Sequence, residues 1–463
     1  MSKAVYDRIR RYVVRVACEQ PLHIGSADGE REGILRHPST GKPFVQASSI
    51  AGVLSDYVQK VDGDAVCRSL FGDSERENGI AGKSRVVVLD GRFLDATVKL
   101  EMRTRCAINK ATGSVDAKQV KGTRVTSGTL LTAEYIGTGS ELAFVILVYG
   151  DGYESIEDAL AAVHTGKIRL GGQNTSGFGR LSLQKVLKSA YDMAQDRERK
   201  DWARLTDFYE EGGTDVTEEL KKRSSKLGEL GYTICIQARL DRALLVKANM
   251  IEEERVRKSL GKVEKMPDFM NITNARNQYI IPGTSLKGVF RGRMEIIADY
   301  FGFPQEWMAA VFEQRSKLLF EDVVIQKERS MQQKRIHLNK ISGTVKNKAL
   351  FSECVTGGET QITVHVDAAR LEQTEHSGLT AKSCIALLLY AVRDLAIGAI
   401  SLGSGASIGR GLVSVGRVEI LESGQEKAAF SLEEGQNVQD VFVTECLEEL
   451  RRSLSSFPFT NVG

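Results

Sequence analysis

The same run of local signals occurs twice in this sequence, and a chain of that kind folds as two copies of one module. Near the start of each half, residues Tyr12 to Cys18 and Tyr232 to Arg239 alternate apolar with other side chains at period two, as half-buried strands do. A turn and a helix follow, F-V-Q-A-S-S-I-A-G from Phe44 to Gly52 and Y-I-I-P-G-T-S-L-K-G from Tyr279 to Gly288. Serine or threonine ahead of apolar residues three and four apart (Ile50, Val53, Leu54, Tyr57; Leu286, Val289, Phe290, Met294) predicts a side-chain-capped amphipathic helix in both halves. These helices run toward Phe71-Gly72 and Phe301-Gly302, and strands are expected at Ser84 to Asp90 and Ser316 to Asp322. Basic turns then recur as I-N-K-A-T-G from Ile108 and L-N-K-I-S-G from Leu338. Hairpin-like strand pairs around Gly137 and Gly357 lead to helices at Ile156 to His164 and Leu379 to Leu395. Each copy closes on glycines and an arginine, Gly171 to Arg180 and Gly403 to Gly411, and the interval from Ser84 to Gly171 equals that from Ser316 to Gly403.

The repeat divides the 463 residues into a first module (1–190), a charged linker (191–230), a second module (231–423) and a helical tail (424–463). With 42% hydrophobic residues, each module can bury its own core. The stretch containing D-R-E-R-K-D-W-A-R and E-E-L-K-K-R-S-S-K reads as a solvated helical linker. Lys and Arg number 63 against 60 Asp and Glu, so any polyanion site must come from local clustering and not from the net charge of +3. Seven scattered cysteines without a C-x-x-C pair fit a reducing compartment. The opening M-S-K-A-V-Y-D-R-I-R-R-Y lacks a secretory apolar region, and no apolar run reaches the roughly 20 residues of a membrane span. The expectation is a cytoplasmic protein with no membrane partner.

Glycine lets backbone N–H groups approach a phosphate without an intervening side chain, and a neighbouring arginine adds a guanidinium for the same oxygens. One such loop is equally well a tight turn. Two at matched positions favour a nucleic-acid backbone as ligand. Mononucleotide binding is excluded by the string around Gly79 to Ser84, where the P-loop's earlier glycine falls on Glu77 and a strand follows. Neither loop has the strand-to-helix context of a dinucleotide fingerprint. The six histidines show no metal-ligand spacing; His23 and His337 flank glycine-rich or basic loops but do not occupy matching places.

At this point the second half, with P-G-T-S-L-K-G at Pro282 to Gly288, Phe301-Gly302, Lys317 to Asp322 and Gly409-Arg410-Gly411, resembles the RAMP (repeat-associated mysterious protein) backbone subunits of type III CRISPR effector complexes. The first half resembles them through Leu22-His23-Ile24-Gly25, Ser48-Ser49, Phe71-Gly72 and Gly177 to Arg180. The resemblance implies an α+β chain of two RRM-like (ferredoxin-like) modules, each with an inserted thumb β-hairpin. It implies CRISPR RNA and target RNA as ligands, with other RAMP subunits, a large polymerase-like subunit and a small subunit as partners. The residues expected to grip RNA are His23, Ser48, Ser49, Gly177 and Arg180 in the first module and Ser285, Lys287, Arg291, Gly409 and Arg410 in the second. Lys110 and Lys340 join them on the thumbs.

In subunits of this family that cut target RNA, an aspartate between the first strand and the P-G-S-S-type turn supports cleavage with Mg²⁺ (or Mn²⁺). Carried over, that role falls on Asp268. In the first module the same count reaches Arg31, with Asp28, Glu30 and Glu32 the neighbouring carboxylates; either Asp28 serves through a shift of loop register or the first site is inactive. The turn there is also altered, Gln46-Ala47 standing for Pro-Gly and Ala51 for lysine. Two rival readings stay open: a structural RNA-binding subunit without catalysis, and a CRISPR-RNA-processing endonuclease, which calls for a histidine-centred site.

Overall fold

In each repeat the first strand is paired on both edges, which makes it the spine of an antiparallel sheet. Arg8–Cys18 lies between Leu181–Asp192 and Glu141–Tyr149, and Gly231–Leu244 lies between Ser414–Glu422 and Val345–Asp367. Both spines carry a register irregularity at the same place, Arg15/Val16 in one and Ile236/Ala238 in the other. A short strand completes each core sheet, Val86–Val88 against Glu141–Tyr149 and Leu318–Phe320 against Val345–Asp367. In chain order the core strands therefore lie fourth, first, third, second. With a helix after the first and after the third, this is the ferredoxin-like arrangement.

The computed structural model describes residues 7–25, 33–72, 83–94, 98–106, 108–109, 117–119, 126–128, 130–223, 231–248, 253–261, 265–313, 315–339, 341–374, 379–432 and 439–455. The chain forms two compact units. One comprises Met1–Glu101, Ala133–Asn174 and Phe178–Gly228; the other comprises Met102–Thr132, Thr175–Gly177 and Glu229–Gly463. No helix among the described residues is long and apolar enough to cross a membrane.

The first unit's core packs Tyr12, Val14 and Val16 of the spine beneath Ile50, Leu54 and Val58 of helix Ala47–Asp62 and Ile156, Leu160 and Val163 of helix Tyr153–His164. The second packs Ile234 and Ile236 beneath Leu286, Phe290 and Met294 of helix Gly283–Phe301 and Ile385, Leu388 and Val392 of helix Ala381–Ala396. Helix Val441–Ser455 adds Val443, Cys446 and Leu450 to that core.

Three expectations are corrected. The segment read as a solvated linker packs on the first unit: Thr214–Asp215 adds an edge strand to Leu181–Asp192, Leu220 is buried, and Trp202, Phe208 and Tyr209 cover Val13, Val145 and Leu187 on the sheet face away from the helices. Its charges are matched locally, Arg223 holding Asp158 at 2.5 Å and Glu157 at 2.7 Å. Second, no hairpin turns at Gly357, because the chain runs through it as one 23-residue strand, Val345–Asp367, that leaves the sheet to form one arm of the inserted hairpin. The other arm is Gln326–Leu338.

Third, the helices after the first strands are not capped by their serines or threonines. They begin at Ala47 and Gly283, so Ser48, Ser49 and Ser285 lie inside the first turn, and the caps come from elsewhere in the chain. Asp90 accepts the Ala47 N–H at 2.7 Å, and Asp322 accepts the Gly283 N–H at 2.8 Å. Within the second unit Asp322 also holds Arg103 at 2.6 Å, with both side chains almost fully buried. Asp90 is exposed. The pair predicts unequal penalties: Asp90→Ala loses a cap, about 1 kcal/mol, whereas Asp322→Ala also strands a buried guanidinium and costs about 3–5 kcal/mol. Urea unfolding of each variant, read by Trp202 in the first unit and Trp307 in the second through Trp→Phe backgrounds, checks the difference.

Candidate nucleic-acid interface

The two glycine loops are built alike. Leu170 donates its N–H to the Gly179 carbonyl and Leu402 to that of Gly411, each at 2.9 Å, closing both loops at the base. Gly172 donates to His23 O and Ser404 to Leu245 O, each at 2.8 Å; Gly179 bonds Pro21 O and Gly411 bonds Ala243 O. Gly179 (φ +78°) and Gly411 (φ +68°) lie in the left-handed region, where a Cβ would collide with the Leu170 or Leu402 carbonyl, so only glycine fits.

This shared frame shows that the two closing arginines are not counterparts. Arg410 occupies the place of Phe178. Arg180 lies beside Gly166, as Leu412 lies beside Gly398. Arg180 is half-buried against the end of its helix, and Arg410 is 6% exposed, its guanidinium held by Glu353 at 2.7 Å and by Gln333. In the first unit the corresponding space is aromatic: Phe178 packs on Tyr135 at 4.8 Å, and Tyr135 packs on His23 at 5.3 Å. Leu245 stands where His23 does, so the histidine is not repeated.

Of the remaining residues expected to grip RNA, Ser48 is exposed and Ser49 and Ser285 are partly so, all at helix starts where N–H groups and the helix dipole favour anions. Lys287 and Arg291 follow one turn apart. Burial, then the neighbouring Arg291 charge, lowers the Lys287 ammonium to about 8, and its Nζ donates to Thr175 Oγ at 3.2 Å within the second unit. Arg291 is engaged by Glu295 at 2.8 Å and Glu313 at 3.1 Å. Gly177 is buried against the backbone of Phe320 and Glu321, whereas nothing stands within 4 Å of a Cβ built on Gly409. Asp28, Lys110 and Lys340 lie outside the described residues.

Asp268 is exposed at the root of the second hairpin. Its Oδ2 accepts the Ser352 N–H at 2.7 Å while its own N–H donates to Ser352 O at 2.8 Å, and the next residues, Phe269–Met270, run parallel to Glu353–Cys354. A basic and aromatic surround completes the site: Lys247 Nζ sits 3.8 Å from the Phe269 ring centre, Phe269 meets Phe351 edge to face at 6.5 Å, and Arg335 lies 5.4 Å from the Phe351 ring. Arg335 reaches Glu353 only at 3.5 Å and stays partly exposed. Cations over aromatic rings and one anchored carboxylate suit single-stranded RNA. Sequence reasoning missed Lys247, Phe269, Phe351, Arg335 and Glu353; the one available signal was that Phe269 adjoins Asp268. The hairpin also exposes apolar side chains, Met331, Ile336 and Leu350.

Arg31, which the count sets against Asp268, lies outside the described residues. Beyond the two loops the chain resumes in the same register, Leu35 donating to Ile24 O as Ile272 does to Val246 O. Among the described residues no cluster of three or more His, Cys, Asp or Glu side chains is placed to hold a metal.

No curated protein is similar enough to match the chain. Among solved structures, a chain of the type III-B Cmr-beta complex bound to cognate target RNA is 17% identical, with a TM-score of 0.31. That likeness covers 39% of this chain and 61% of the other, less than two thirds of its length, and carries no functional weight. The sequence model of the RAMP superfamily matches residues 15–182 and 261–414, well over half of the chain and once in each repeat. The chain belongs to the RAMP superfamily.

Proposed function

We propose that the protein is a fused double backbone subunit of a cytoplasmic type III CRISPR interference complex. It holds CRISPR RNA along both modules and cuts complementary target RNA at Asp268. The observation that carries the reading is the anchored, exposed Asp268 carboxylate beside Lys247, Arg335, Phe269 and Phe351 at the root of a projecting hairpin. Fusion supports it, since a second module tied to the first binds the same strand at high effective concentration.

Cleavage of this kind needs little covalent chemistry from the protein. The target's 2′-hydroxyl attacks the adjacent phosphorus, its proton leaves to a base, and the 5′-oxygen departs taking a proton from water, giving a 2′,3′-cyclic phosphate and a 5′-hydroxyl. Asp268 is placed to accept that proton or to orient a bound cation; Lys247 and Arg335 bear on the phosphate charge, and the phenylalanines hold a splayed base. Mg²⁺ bound at Asp268 would neutralise charge developing on phosphate oxygens. The first module is proposed to bind without an equivalent carboxylate unless Asp28 supplies one. A non-catalytic RNA-binding role is the second reading, favoured by Asp268 belonging to no cluster of three or more potential metal ligands among the described residues.

Two outcomes are expected. In the assembled complex with guide and end-labelled complementary RNA, Asp268→Asn leaves RNA binding within about threefold but lowers one cut by roughly 10²-fold or more. EDTA abolishes that cut in the wild type, and Asp28→Asn leaves it intact. Unchanged cutting at every position in Asp268→Asn would exclude the assignment and leave the structural reading. For the grip, guide-RNA affinity of the wild type falls as pH rises through about 8, where Lys287 loses its charge. Lys287→Arg, which stays charged, flattens that dependence in filter-binding titrations.

A further inference from the structure

The loop that delivers Asp268 is longer than its counterpart in the first repeat. The same hydrogen bond closes both, Leu35 to Ile24 O and Ile272 to Val246 O, yet the second spans 26 residues against 11. A longer free loop holds its carboxylate less firmly, because more backbone conformations must be fixed. Strand Phe269–Met270 does not supply that constraint alone: it is two residues long and pairs in parallel, the weaker of the two ladder geometries.

The added residues carry their own anchor. Helix Glu253–Leu260 lies on the hairpin arm Gln326–Leu338, with Val256 fully buried in the core and Leu260 packed against it. Arg255, on the same helix, is 5% exposed. Its guanidinium lies 4.2 Å from the centre of the Tyr279 ring and pairs with Glu328 of the arm. Tyr279 Oη in turn meets Cys354 Sγ at 3.9 Å, and Cys354 is the residue that pairs with Met270. Burial raises the Cys354 thiol, and the Tyr279 hydroxyl and the Arg255 charge pull against that rise, so the guanidinium bears on the strand to which Asp268 is bound. Just before Asp268 a second anchor holds the chain. Gln332, half-buried on the arm, donates from Nε2 to Lys265 O at 3.1 Å and to Ser352 Oγ at 3.3 Å. Lys265 lies three residues before Asp268, and Ser352 supplies the N–H that the Asp268 carboxylate accepts. One amide thus ties the chain entering Asp268 to the residue that receives its side chain.

We infer that Gln332 and Arg255 are positioning residues for Asp268: they clamp the long loop so that the carboxylate is already fixed at Ser352 when target RNA arrives. The inference rests on the reading of Asp268 as the cutting carboxylate. Both residues act through Asp268 and not on the phosphate, so loosening the clamp slows the cut and leaves RNA affinity unchanged. Displacement of a reacting group by about 1 Å is enough to cost roughly 10²-fold in rate.

The test uses the full chain in the assembled complex, with end-labelled complementary RNA under single-turnover conditions. Gln332→Met keeps the side-chain length and loses both donations; it should slow the cut that depends on Asp268 about tenfold, with target affinity within about twofold of the wild type. Arg255→Met should act alike, and Arg255→Lys, which keeps a charge beside Glu328, should recover part of the rate. In the Asp268→Asn background Gln332→Met should add nothing, since a residue that works only through Asp268 is silent without it. Hydrogen exchange of the RNA-free protein reads the clamp without cleavage: peptides over residues 265–270 and 350–354 should exchange at least about fivefold faster in Gln332→Met. A full-rate cut in Gln332→Met and Arg255→Met, where Asp268→Asn loses it, overturns the inference and leaves Asp268 as the cutting carboxylate. So does a Gln332→Met effect that persists at full size in the Asp268→Asn background. Unchanged cutting in Asp268→Asn overturns the cleavage reading instead; hydrogen exchange then decides the clamp, and unchanged exchange in Gln332→Met overturns that too.

Discussion

Both modules depend on one carboxylate reaching across from a strand end to the first N–H of a helix. An α-helix begins with N–H groups that have no partner in the helix, and in a packed module they must be met by other parts of the chain. Asp90 and Asp322 do this at 2.7 and 2.8 Å, and in doing so they fix where each helix starts relative to the sheet. From that point the helix places Ile50 and Leu54, or Leu286 and Phe290, over the central strand, and the core follows. In the second unit the same carboxylate also neutralises Arg103, so a local cap and a long-range attachment share one side chain.

Much of the architecture was legible because it rests on periodicity and order. The spines, the paired helices and the glycine loops lie where alternation and spacing place them, and helix Ala381–Ala396 differs by only a residue or two from its expected bounds. The errors share a physical origin in partners distant along the chain. A serine before an apolar run looks like a cap until an aspartate about forty residues away takes the donor. A charged stretch looks solvated when its few aromatic residues, Trp202, Phe208 and Tyr209, are enough to attach it to a bare sheet face.

The site was legible in part. Asp268 was reached by counting from the turn, yet the residues that give it a setting come from four separate segments: Lys247, Phe269, Arg335 and Phe351. No spacing rule joins them. The arginines of the glycine loops were matched by their proximity to glycine, and the loop frame separates them by two positions.

The exchange of Tyr135 and Phe178 in one unit for Glu353 and Arg410 in the other bears on how such a duplicated gene can change. Both pairs fill the same buried space, one by ring packing and the other by opposite charge. A hybrid holding Glu with Phe, or Tyr with Arg, would bury a charge with no partner, at a penalty of several kcal/mol. Recombination that copies a short tract from one half of the gene into the other would usually transfer one member without its mate, since the members lie far apart in the chain. Selection against such hybrids would keep the halves from being homogenised, leaving each free to specialise.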